Sequence, residues 1–166
     1  MGKKVIKDTF GYLGEVFQEK LVAEIMTDHK FADSIMELID FNFFEGEGLR
    51  YIVSKIHEAW HENEVNLTYD SLEARVRAGT SDDLTLNFRL KQLDVIKEAS
   101  LNDSEYTQKT ALNFCKQQSL KITLKSIQNI VDKGQPDDYP KCEDLLKKAL
   151  ELGNGKDDIV DRKSVV

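Results

Sequence analysis

The chain has 166 residues, 40% of them hydrophobic and 32% charged, and a formal net charge of −7. That length fits one domain or one domain with an appendage, and that balance excludes disordered and collagen-like chains. No apolar run approaches the roughly 18 residues of a membrane span, and the opening MGKKVIKDTF lacks an apolar stretch of signal-peptide length, so a cytoplasmic protein with no membrane attachment is expected.

The charge is uneven. Residues 1–100 hold 12 basic and 19 acidic groups, so they carry the whole −7, while residues 101–166 hold 11 of each. An acidic body gains no counterion release on a phosphate backbone, which argues against this chain gripping DNA by itself. Two cysteines, Cys115 and Cys142, do not make a disulfide framework and fit a reducing compartment.

Apolar spacing is helical almost throughout, which makes the fold class all-α. Phe17, Leu21, Val22, Ile25 and Met26 form the first stripe. The stretch FADSIMELIDFNFFEGEG holds Phe31, Phe41, Phe43 and Phe44, too dense a set for a solvated loop, and predicts a short helix followed by a buried turn. Leu49, Ile52, Val53, Ile56, Ala59 and Trp60 follow i, i+3, i+4, i+7, i+10, i+11, the clearest helix of the chain. Tyr69, Leu72 and Val76 mark a shorter helix, with Thr68 as its N-cap, Asp70 in its first turn and Gly79 at its end. Ser81 is placed to cap the next helix, which carries Leu84, Phe88, Leu90, Leu93 and Ile96.

The second part reads differently. Asn102 and Glu105 resemble a capping box, and from there to Val131 there is neither Gly nor Pro, enough for a helix about 40 Å long. Leu120, Leu124, Ile127 and Val131 fall on a heptad-like line, and Ala111, Cys115 and Ile122 on a second, narrower face. Gly134 and the GQPDDYP turn predict a reversal into a second amphipathic helix with Cys142, Leu145, Leu146, Ala149 and Leu150, closed by Gly153. The expected organisation is therefore a flexible tail at 1–11, a helical head at 12–100, a protruding αα-hairpin at 101–152 and a linker at 153–166. One hairpin has too little surface to cover both apolar lines of its long helix. The surplus predicts self-association, with Ala111, Cys115, Leu120, Ile122, Leu124, Ile127, Leu145, Leu146 and Ala149 as the contact set.

Three motifs bear on chemistry. His57-Glu58-Ala59-Trp60-His61 matches H-E-x-x-H, in which two histidines one turn apart bind zinc and the glutamate activates water. A third ligand at the usual later position is missing, and the histidines sit at the edge of the apolar stripe with Glu58 turned to solvent, as two surface histidines would. Gly153-Asn154-Gly155-Lys156 has neither the spacing nor the strand-before-helix setting of a phosphate-binding loop. Lys109, Lys116, Lys121 and Lys125 lie in a stretch, 106–131, with no acid; a nucleic-acid track would need more aromatics than Tyr106 and Phe114, so a solvated helix face is the simpler reading. The pairs Asp82-Asp83, Asp137-Asp138 and Asp157-Asp158 sit at turn or cap positions. No catalytic residue, cofactor site or metal site emerges, with the pair His57 and His61 as the one metal alternative, that of a small zinc metallopeptidase.

The order of pieces, FQEKLVAEIMTD, a short helix, IDFNFFEGEGLRYIVSKIHEAW and VNLTYDSLEARV, resembles the N-terminal domain of replicative hexameric helicases of the DnaB type, the phage versions above all. The family's Asp-x-x-x-Phe step is matched by Asp40 and Phe44, its early helical Arg by Arg50, and its Thr-capped short helix by Thr68 to Leu72, with Leu67 where the family often has Pro. TALNFCKQQSLKITLKSIQNIVDKG and CEDLLKKALELG resemble its helical hairpin, so the resemblance spans about 15–152. It implies a collar domain that assembles subunits through hairpins and docks a primase or a loader. It also implies that the chain stops where a linker would lead to a RecA-like motor. ATP, Mg and DNA would then be engaged only by the full-length protein. A free-standing replication adaptor is the remaining alternative.

Overall fold

The computed structural model describes residues 14–63 and 67–152, and among these the fold is all-α, with seven α-helices, two short 3₁₀ turns and no strand. The helices are α1 (Glu15–Thr27), α2 (His29–Ile35), α3 (Glu47–Asn63), α4 (Tyr69–Ala78), α5 (Asp83–Lys97), α6 (Ser104–Lys133) and α7 (Pro140–Glu151). The chain divides into two compact units, 1–108 and 109–166, so the division falls inside α6. The expected tail at 1–11, linker at 153–166 and Gly153-Asn154-Gly155-Lys156 lie outside the described residues.

In the first unit α3 is the central element, packed against α1, α4, α5 and the 3₁₀ turn Phe41–Phe43. Its apolar spacing explains why: Leu49, Ile52, Val53, Ile56 and Ala59 are all buried, and each large aliphatic among them contributes roughly 1.5–3 kcal/mol by leaving water. Leu21, Val22 and Ile25 of α1, Leu72 and Val76 of α4 and Leu93 and Ile96 of α5 meet it in one core.

The expected short helix and buried turn are α2 and the 3₁₀ turn Phe41–Phe43. Asp28 caps α2, its carboxylate accepting from the Phe31 amide at 3.1 Å, and Asp40 caps the 3₁₀ turn by accepting from the Asn42 amide at 2.8 Å. Phe31, Phe43 and Phe44 are buried, while Phe41 stays exposed. Fully buried Gln18 holds the turn in place by accepting the Glu45 amide at 2.7 Å, and Arg50 donates to the Phe44 carbonyl at 3.3 Å.

Two helix starts differ from expectation. Asp82, not Ser81, caps α5, accepting from the amide and the hydroxyl of Thr85 at 2.8 and 2.7 Å. A carboxylate beside the first-turn amides also suits the helix dipole better than a neutral hydroxyl, and the two Thr85 bonds hold the Asp82 carboxyl below its ordinary range. The long helix begins at Ser104, so Asn102 precedes it and is not its cap. Thr68 does cap α4, accepting from the Ser71 amide at 3.1 Å, and Gly79 ends it.

The first turn of α6 is tied to α1 by polar groups. The buried carboxylate of Glu24 accepts from the Ser104 hydroxyl and from the Gln108 amide at 2.9 Å, and the same amide group reaches Asp28 at 3.0 Å. A buried carboxylate is tolerable because these donors replace its lost water.

Candidate assembly surface

From Lys109 on, α6 runs without a break to Lys133 because nothing in that stretch interrupts it, and Gly134 at φ 67° ends it in the left-handed conformation only glycine adopts without strain. Pro136–Asp138 makes a 3₁₀ turn, and Pro140 opens α7 at a position where its missing amide costs nothing.

The nine residues expected at a contact fall into three groups. Ala111, Cys115 and Ala149 are buried; Leu120, Ile127 and Leu145 are half-buried; Ile122, Leu124 and Leu146 are exposed. The narrower face of α6 is thus buried from Ala111 to Gln118, with Phe114 and Cys115 between them, and opens at Ile122. The heptad-like line is not: Leu124 is 60% and Val131 52% exposed. Leu150, one turn beyond Leu146 on α7, is exposed as well.

Burial sets the chemistry of the two thiols. Cys115 has its pKa pushed up to about 12 by desolvation, so it stays an inert thiol, while Cys142 is half-buried. Lys109, Lys121 and Lys125 are exposed and Lys116 half-buried. At about 100° per residue they fall on two sides of α6, not on one track. Phe114 is buried, leaving Tyr106 as the exposed aromatic of that stretch.

The H-E-x-x-H segment lies on α3 in the first unit. The imidazoles of His57 and His61 meet edge to face with centroids 4.4 Å apart, and the Trp60 indole donates to Asp33 at 3.4 Å. Glu58, where a metallopeptidase has its base, instead accepts from Lys55 at 3.1 Å and raises that ammonium's pKa. Among the described residues no group of three His, Cys, Asp or Glu side chains is placed to hold a metal ion, and no helix is long and apolar enough to cross a membrane.

One surface escaped the sequence reading. Leu84 and Phe88, placed on this helix with Leu93 and Ile96, are exposed, as is Val95, while Leu93 and Ile96 fill the core. The signal was available: α5 has apolar residues around too much of its circumference for a single packing face.

No protein-family model, curated protein or solved structure matches this chain.

Proposed function

We propose that this chain is an assembly and docking domain of the kind that forms the N-terminal collar of DnaB-type replicative helicases. In this reading it works in the cytoplasm in DNA replication, joins subunits through a helical hairpin made of α6 and α7, and receives a primase or a helicase loader. ATP and Mg act in a separate motor domain, and DNA is engaged through the full-length protein.

The observation that carries the reading is the apolar line along α6, with Leu124 and Val131 more than half exposed. Covering such a line with a sister chain removes aliphatic surface from water, and heptad spacing is what two helices need to interlock. The order of elements adds to it: Asp40 and Phe44 on the buried turn, Arg50 early in α3, and Thr68 capping α4, followed by the longest helix of the chain.

Light scattering over a concentration series tests the assembly part. The mass is expected to rise with concentration and Leu124→Glu to hold the chain as a monomer; a mass that stays monomeric at the highest concentration overturns it. Sequencing the gene past the codon for Val166 tests the replication part. A G-x-x-x-x-G-K-[ST] motif in the same frame supports a helicase, and a stop codon with no motor makes the chain a free-standing adaptor.

A further inference from the structure

The motif that assembly leaves unused is His57-Glu58-Ala59-Trp60-His61, on α3. Four residues advance a helix by about 400°, so the two imidazoles leave one face, a turn apart. The structure brings them together: the centroids are 4.4 Å apart and the rings meet edge to face. An ion bonded at about 2.0–2.1 Å to one nitrogen of each ring suits that spacing. His61 is exposed, so its ring is free to turn a lone pair toward such an ion, while His57 is half-buried and held.

The surroundings suit a cation. The Met36 carbonyl takes one ring N–H of His57, which fixes the ring and leaves its second nitrogen as a lone pair; metal-bound histidines usually have such an outer contact. The Asp40 carboxylate acts on the same ring and favours positive charge there. Two cations are tied to this stretch of α3, Lys55 and Arg75, and each is paired with a carboxylate, Glu58 at 3.1 Å and Glu62 at 3.0 Å. The donor set also limits what an ion could do. Among the described residues no third His, Cys, Asp or Glu is placed to complete a group of three, and Glu58, held by Lys55, is not free to act as a base. Two imidazoles leave the remaining positions to water. Nitrogen donors favour zinc and its late first-row neighbours over magnesium and calcium, which take oxygen.

We propose that His57 and His61 form a two-imidazole site for a divalent ion of the zinc class, which clips the last turns of α3 together and is not a peptidase centre. The site lies on α3, away from the apolar line of α6, and does not depend on the assembly reading.

Calorimetric titration with zinc chloride, on chain first stripped of metal by a chelator, tests this. One zinc per chain is expected, with no competition from magnesium. The thermal midpoint is expected to rise with zinc concentration, as it does when an ion binds the folded chain more tightly than the unfolded one. His61→Gln changes an exposed side chain, so helix content by circular dichroism is expected to stay that of the parent. Its zinc affinity is expected to fall by about tenfold or more, and the zinc-dependent rise in the midpoint to vanish. His57→Gln is expected to do the same. His29→Gln and Cys142→Ser remove an exposed imidazole and a half-buried thiol, and both are expected to bind zinc like the parent. A parent chain that takes up no zinc overturns the inference, as does a His61→Gln chain that binds like the parent. Loss of binding in His29→Gln or Cys142→Ser puts the ion elsewhere and overturns it too.

Discussion

The guanidinium of Arg89 lies over the ring of Tyr51, 3.4 Å from its centroid, and joins α5 to α3 across the edge of the core. Arg89 also donates through Nε to Glu47 at 2.9 Å and through Nη1 to the Thr80 hydroxyl at 2.7 Å, so one planar group serves a ring, a carboxylate and a hydroxyl. Replacing it with alanine is expected to cost about 2–3 kcal/mol, combining a part-buried cation–π contact with two hydrogen bonds. Arg89→Lys is expected to recover less than half, because an ammonium cannot supply the same fork. Urea midpoints of the parent and the two variants check this.

Tyr51 reaches α4 on its other side, and Gly79 makes room for it. A methyl group at Gly79 would overlap the Tyr51 hydroxyl and crowd the Lys55 side chain. Gly79→Ala is therefore expected to destabilise the chain by about 1–3 kcal/mol, the usual range for overpacking. The cost is expected to shrink in a Tyr51→Phe background, where the hydroxyl is gone. A double-mutant cycle in thermal unfolding reads the coupling.

His57 ties stability to pH. Burial lowers its pKa from the ordinary 6.5, His61 lowers it further, and Asp40 and the Met36 backbone oppose them. The unfolded chain thus binds a proton at His57 more readily than the folded chain, so stability falls as pH drops below about 6.5 and the loss levels off under the folded pKa. His57→Gln is expected to flatten the profile between pH 7 and pH 5, leaving carboxylate effects at lower pH in place. An unchanged slope in that variant would sink the assignment.

The two cysteines are expected to react in sequence. Cys115 is buried with its thiol pKa at about 12, and Cys142 is half-buried on α7. A thiol reagent at pH 8 is expected to label one site quickly, and the second only on unfolding. Cys142→Ser is expected to abolish the fast phase and Cys115→Ser to leave it.

The core of the first unit was readable because its helices advertise one face each. Leu49 to Ala59 could only be buried together, and Thr68 before a helical run has one obvious task. The choice between Ser81 and Asp82 was not readable: both can cap, and the backbone decides which oxygen faces the Thr85 amide. Nor could the aromatic cluster be sorted, since Phe41 and Phe43 differ only in which side of a 3₁₀ turn they occupy.

For the candidate site, the sequence supplied the two apolar lines of α6 but not their fates. Ala111 and Cys115 end covered, and Leu124 and Val131 end open. Local spacing alone determined the all-α class, the helix positions and the long uninterrupted α6, because hydrogen bonding along a helix and the rhythm of its side chains are local properties. Tertiary structure alone decided which arc of α5 fills the core and which leaves Leu84 and Phe88 in water, because an apolar side chain carries no record of its distant neighbours.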